Sequence, residues 1–117
     1  MKQMNNLNQF PLKIAEAETK ILNLERQVTI YKEQLSFMDG EIETAIALNK
    51  ELKNEQLRKT KRLELKQEPD YLQAKASLTE ATEKRDKAQI ELNLLRNQFS
   101  VAKLEARQAI ANLEAVA

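Results

Sequence analysis

The sequence has 117 residues, enough for one domain, and its 19 basic and 18 acidic side chains leave a net charge of +1. Charged residues make up 32% of the chain and aromatic residues only 4%, which is typical of long helices with a narrow apolar stripe rather than of a thick globular core. The chain has no cysteine and no histidine, which excludes disulfides, thiolate chemistry and the commonest general base and metal ligand.

The N-terminal stretch, residues 1–9, is rich in Asn and Gln, and we expect it to be frayed. Pro11 fits the first turn of a helix, where the N–H that proline lacks would have no partner. Helix 1 is therefore predicted to begin near Phe10.

Helix 1 is defined by apolar residues that recur at alternating steps of three and four. This first seam consists of Leu7, Phe10, Ile14, Ala17, Ile21, Leu24, Val28, Tyr31, Leu35, Met38, Ile42, Ala45, Asn49 and Leu52. A 3.5-residue repeat of this length predicts a coiled coil, so helix 1 is expected over about 10–52. Asn49, the one polar member, is interpreted as a residue that sets the pairing register.

Asp39 and Gly40 form the one weak point of helix 1, because Asp-Gly often marks a turn. The seam nevertheless passes through Met38 and Ile42 without a change of phase, and Gly40 falls on the outer face. A continuous helix that tolerates the glycine is predicted, with a turn as the alternative.

A basic connector, residues 53–69, follows the first seam. Asn54 can cap a short helix from about Glu55 to Lys66, and the alternative is that helix 1 runs straight through to Lys66. The connector carries a cluster of cations that could contact phosphates or an acidic partner. This basic cluster consists of Lys53, Arg58, Lys59, Lys61, Arg62 and Lys66. The competing interpretation is a solubilising tip, because no aromatic side chain is interleaved for stacking on bases.

Helix 2 is predicted over about 70–116, after a break at Pro69. Asp70 is expected to cap it, with Gln73 in the capping-box position. The second seam consists of Tyr71, Ala74, Leu78, Ala81, Arg85, Ala88, Leu92, Leu95, Phe99, Ala102, Ala106, Ala109, Leu113 and Val116. Arg85, its one polar member, is also interpreted as a register residue.

The predicted fold class is all-α, as a long antiparallel coiled-coil helical hairpin with a short connecting helix. The two seams have equal spans, so the chain is expected to fold back with Leu52 beside Tyr71. This pairing places Phe10 opposite Leu113. In the alternative, a longer helix 1 shifts the pairing by about two heptads.

A second set of apolar residues lies off both seams and predicts self-association. Its members are Leu22, Ile30, Phe37, Ile90, Leu94, Val101 and Leu104. The rough balance between apolar burial and chain entropy suggests that one hairpin of this length needs another apolar contact. We therefore expect a homo-oligomer, most simply a dimer that forms a four-helix assembly.

No catalytic, cofactor-binding or metal-binding residues are predicted, and the chain is not expected to be an enzyme. Gly40 is the only glycine, so no glycine-rich phosphate loop can form. No stretch is apolar enough to span a membrane, and residues 1–9 include no apolar leader, so a cytoplasmic location is expected.

Two strings resemble small uncharacterised coiled-coil proteins of phages, prophages and other mobile elements. They are Glu51-Leu52-Lys53-Asn54 with Gln56, Arg58, Lys59 and Asp70-Tyr71, and Leu95-Arg96-Asn97-Gln98-Phe99-Ser100-Val101. The resemblance implies an accessory role near DNA metabolism.

Two functions are therefore open. The first is a non-catalytic structural or interaction protein that self-associates and presents helical faces to a protein partner. The alternative is a nucleic-acid-binding accessory protein that uses the basic connector 53–66.

Overall fold

The fold is all-α, as predicted. A computed structural model describes residues 2–116, and within them three helices and no strand occur: α1 (Lys2–Leu48), α2 (Glu55–Leu65) and α3 (Pro69–Val116). The side chains of residues 2–6 are outside this description. None of the helices between residues 2 and 116 combines the length and the apolarity that a membrane span requires.

The ends of the long helices differ from the predicted ones. α1 begins at Lys2 rather than near Phe10, so Pro11 lies inside the helix. Leu7 is half-buried, so the first seam is already packed before Pro11. α1 ends at Leu48 rather than near residue 52, because the side chain of Asn49 accepts a hydrogen bond from the backbone N–H of Glu51 (3.0 Å) and favours a turn.

The connector contains a separate helix, which confirms the first of its two interpretations. Asn54 caps α2: its side-chain oxygen accepts a hydrogen bond from the backbone N–H of Leu57 at 2.9 Å. α3 begins with Pro69 in the first helical position. Asp70 therefore lies in the first turn of α3 and is not the predicted cap.

The chain forms two compact units. Of the described residues, the first unit takes 2–23 with 84–116, and the second unit takes Leu24–Glu83. Both α1 and α3 contribute to both units. The expectation of a single domain stays a prediction.

In the second unit, the chain reverses within residues 49–54. α2 then runs back along α1, with Arg62 bound to Glu43, and Tyr71 at the start of α3 binds Asp39. α2 therefore lies alongside the end of α1 and extends the returning arm, whereas the predicted pairing of Leu52 with Tyr71 requires the connector to lie beyond the end of α1. This is the physical reason that the predicted pairing register is wrong.

In the first unit, α1 and α3 pack antiparallel in a different register from the predicted one. Phe10 stacks on Phe99, with 5.5 Å between the ring centroids, instead of facing Leu113. Stepping along both seams from this pair places Ile21 level with Ala88, so a large residue meets a small one. Seven residues along from Phe10 and Leu113, the predicted register would place Ala17 level with Ala106, and two small residues fill the space between helices less well than a large one with a small one.

The predicted seams form the packed faces over most of their length. Every member from Leu7 to Ile42 and from Tyr71 to Ala106 is buried or half-buried. Among residues 7–116, eight of the nine buried residues belong to the seams: Ile21, Val28, Tyr71, Ala74, Ala81, Ala88, Leu92 and Ala102. The ninth is Ile46, which is buried where the first seam predicted Ala45.

The helix through Asp39 and Gly40 is continuous, as predicted. Gly40 is exposed, its φ is not positive, and a Cβ added there would have no atom within 4 Å. The turn alternative is therefore wrong.

Candidate interaction surfaces

The basic cluster lies at the chain reversal of the second unit, and part of it serves the fold. Arg58 is held by two local acceptors. Its Nε donates to Glu55 (3.3 Å), and its Nη1 donates to the backbone carbonyl of Leu52 (3.1 Å). Arg58 therefore ties the first turn of α2 to the loop before it.

Arg62 joins α2 to α1. Its guanidinium makes two hydrogen bonds to the carboxylate of Glu43, at 2.5 and 3.1 Å, in the two-pronged geometry that suits this pair. The hydrogen bond lowers the pKa of Glu43 and raises that of Arg62, and the charges of Arg62 and Lys66 lower the Glu43 pKa further. This cation therefore holds the connector in place.

The remaining cations of the cluster differ in their availability. Lys61 lies 3.8 Å from Glu64. Lys53, Lys59 and Lys66 form no salt bridge with any residue between 2 and 116. The structure thus brings the six predicted cations to one end of the second unit, but three of them are occupied by carboxylates of the same chain.

The predicted self-association residues are all exposed. Four of them lie on α3 in the first unit, on the face opposite the packed seam: Ile90, Leu94, Val101 and Leu104. Between 53% and 67% of the surface of each is exposed. We call these four residues the outer face of α3. Leu22 lies on α1 at about the level of Ile90, because the neighbouring Lys20 and Glu91 form an ion pair (3.7 Å).

The two other predicted residues, Ile30 and Phe37, lie on α1 in the second unit. Phe37 borders a shallow open groove that Gly40, Thr44 and Leu48 also line. Leu48 is exposed, and sequence reasoning missed it. The sequence did indicate an exposed apolar side chain here, because Leu48 lies three residues after Ala45 and does not belong to the first seam.

A small cavity of about 290 Å³ opens beside Tyr71 in the second unit. Apolar groups form part of its lining, and Glu41, Glu68 and Asp70 add carboxylates. Tyr71 donates a hydrogen bond to Asp39 (2.8 Å), and burial, followed by this bond, raises the pKa of Tyr71. Within residues 2–116 no group of three or more carboxylates could hold a metal ion.

The chain matches no protein-family model, no curated protein and no solved structure.

Proposed function

We propose that this protein is a non-catalytic scaffold that self-associates through the outer face of α3 and presents helical faces to a protein partner. The observation that carries the proposal is the position of Ile90, Leu94, Val101 and Leu104. All four are exposed, and their spacing places them on the side of α3 opposite the packed seam. Exposed apolar surface concentrated on one side of a helix marks interaction sites on soluble proteins.

The outer face of α3 has the spacing that a helical partner needs. Ile90 and Leu94 are one turn apart, and so are Val101 and Leu104, with seven residues from Leu94 to Val101. This pattern repeats the step of a coiled-coil stripe, so a second α3 could pack against it. Two copies joined in this way contribute four long helices, and a dimer is the simplest assembly. A cytoplasmic location and the resemblance to mobile-element proteins stay part of the proposal.

The test compares two variants in the same helix. Leu94→Glu places a charge in the middle of the outer face, whereas Ser100→Glu adds the same charge to an exposed position beside it. Sedimentation should show that Leu94→Glu weakens self-association at least about tenfold, since burying an unpaired charge is costly, and that Ser100→Glu changes it little. Equal behaviour of the two variants, with unchanged helicity, would contradict the proposal.

A second candidate function, nucleic-acid binding, rests on the unpaired lysines. Lys53, Lys59 and Lys66 have no carboxylate of residues 2–116 within salt-bridge distance, so they are available for phosphates. Arg58, Lys61 and Arg62 already bind carboxylates, so reversing their charge would disturb the fold as well as any DNA contact.

The informative variant is therefore Lys53→Glu with Lys59→Glu. Its control is Lys32→Glu with Lys75→Glu, which changes the net charge equally at two other exposed lysines. If the basic cluster binds DNA, only the first pair should abolish a complex that weakens steeply with added salt. Equal loss in both pairs would indicate that only the overall charge matters, and binding that survives the first pair would refute the candidate.

A further inference from the structure

The C-terminal part of α3 continues the second seam beyond the part of α1 that covers it. In the register fixed by Phe10 and Phe99, the first residue of α1, Lys2, is level with Arg107. The remaining seam residues are Ala109, Leu113 and Val116, and all three are exposed. Val116 is 88% exposed and Leu113 72%. The second seam, which is packed over residues 71–106, therefore continues with the same heptad repeat onto a part of α3 that is exposed.

From this continuity we propose that residues 106–116, the C-terminal segment, pair antiparallel with the same segment of a second copy, so that two molecules join end to end. This contact uses the seam side of α3, so it goes beyond the proposed function, which concerns the outer face. Either contact can form without the other.

The sizes of the seam residues favour this occupant. An antiparallel pair centred on residue 111 places Ala109 level with Leu113 of the second copy, and Ala106 level with its Val116. Each of the four layers then combines a small residue with a large one. The first unit uses the same rule, because Ile21 is level with Ala88. A parallel pair would instead place each alanine opposite another alanine.

The charges of the segment also favour an antiparallel second copy. Arg107 and Glu114 lie on the same side of α3, seven residues apart. Antiparallel pairing about residue 111 brings Arg107 within one residue of the level of Glu114 of the other copy, on the same side of the pair and twice by symmetry, so two long side chains of opposite charge lie near each other.

Residues near the two-fold axis complete the flanks of the contact. Ile110, which is about half exposed, would lie beside Ile110 of the second copy on one flank. Asn112 would lie beside Asn112 of the second copy on the other flank, where two amides can exchange hydrogen bonds. Ala111 is at the same level but points to the outer face, away from the contact.

The test uses single cysteines, because the chain has none of its own. Asn112→Cys and Ala111→Cys are each prepared in the full chain carrying Leu94→Glu, which removes self-association through the outer face. Both positions are exposed, so neither thiol is hidden by its own chain. A short bismaleimide reagent then reports which side of α3 meets a second copy.

We expect Asn112→Cys to give about tenfold more covalent dimer than Ala111→Cys, because pairing raises the effective concentration of the two thiols. Adding Leu113→Glu should remove the excess, and helicity should stay unchanged because Leu113 is exposed. Equal yields, no dimer from either thiol, or an excess that survives Leu113→Glu would each overturn the proposal. Self-association of the chain without Leu94→Glu is measured separately, so failure of this contact does not affect the proposed function.

Discussion

Around the chain reversal of the second unit, polar side chains direct the backbone. Asn49 supports the turn, Asn54 caps α2, and Arg62 and Tyr71 bind carboxylates on α1. In the first unit, an apolar seam with stacked phenylalanines holds the helices, and the ion pairs between α1 and α3 are long and exposed. Exposed pairs of that kind contribute little to stability.

The two units therefore contribute to the fold in different ways. The polar contacts of the second unit determine where the chain turns and which residues of α1 and the returning arm meet. The first unit can then use regular heptads, and its apolar surface exceeds what one α1 covers. Its outer face and C-terminal segment are exposed apolar surfaces, and we assign association to them, whereas at the reversal Arg58, Lys61 and Arg62 are bound to carboxylates of the chain.

The largest expected effect separates the packed side of α3 from its outer face. Leu92 is 3% exposed, whereas Leu94, two residues later, is 56% exposed. Leu92→Ala should lower the free energy of unfolding by about 2–5 kcal/mol, because it removes buried methyl groups and leaves a cavity. Leu94→Ala should change it by less than about 0.5 kcal/mol.

Urea unfolding at low protein concentration, where association does not contribute, measures both values. A similar loss of stability in the two variants would show that the outer face is packed within a single chain, and the distinction between the two sides of α3 would fail.

The cap of α2 tests the polar control of the reversal. Asn54→Ala should lower the free energy of unfolding by about 1 kcal/mol, since the backbone N–H of Leu57 loses its acceptor. Asn54→Asp keeps an acceptor at the same place and should be nearly neutral. Circular dichroism with thermal unfolding compares the two, and equal destabilisation by both variants would argue against the cap.

The hydrogen bond from Tyr71 to Asp39 gives a prediction of similar size with a pH signature. Tyr71→Phe should lower the free energy of unfolding by about 1 kcal/mol at neutral pH. Tyr31→Phe is the control, because the Tyr31 hydroxyl has no hydrogen-bond partner within residues 2–116 and should lose little.

The folded state raises the pKa of Tyr71 above the 10.0 of an unperturbed tyrosine. The contribution of the neutral hydroxyl is therefore complete below pH 10 and is lost as the pH rises through the folded-state pKa. Urea unfolding of both proteins should show the difference between wild type and Tyr71→Phe narrowing above pH 10. A difference that grows with pH would contradict the assignment.

The smallest effect concerns the outer side of α1 near the reversal. Gly40→Ala should raise the free energy of unfolding by about 0.5–1 kcal/mol, because alanine favours helix and its Cβ meets no atom within 4 Å. Thermal unfolding measures the gain. Destabilisation would mean that α1 is not a regular helix at this position.

Periodicity alone predicted much of the fold. The seams identified nearly every buried residue, since a 3.5-residue repeat fixes which side of a helix packs, and the continuity of α1 at Gly40 followed from the same phase. The Asn54 cap was also readable, because Asn before an amphipathic stretch has a local mechanism. The same repeat predicted the exposed outer face of α3, because its four apolar residues do not belong to the second seam.

The pairing register was not predictable from the seams, because equal heptads fit one another at many offsets. The register depends on Arg62 reaching Glu43 and on Tyr71 reaching Asp39, contacts that span 19 and 32 residues and have no periodic signature. Within the basic cluster, the pairing of Arg62 with Glu43 was missed for the same reason, whereas the pairing of Arg58 with Glu55, three residues away, is local. The exposure of the C-terminal segment is a consequence of this register, so it could not be predicted without it.

If the apolar surface outside the packed seam joins two copies, light scattering of the unmodified chain over a range of concentrations should detect the association. The solution mass should rise to at least twice the 13.5 kDa of one chain, about 27 kDa, as the concentration increases. A mass that stays at 13.5 kDa throughout would contradict self-association and leave the outer face of α3 as a docking surface for a different protein.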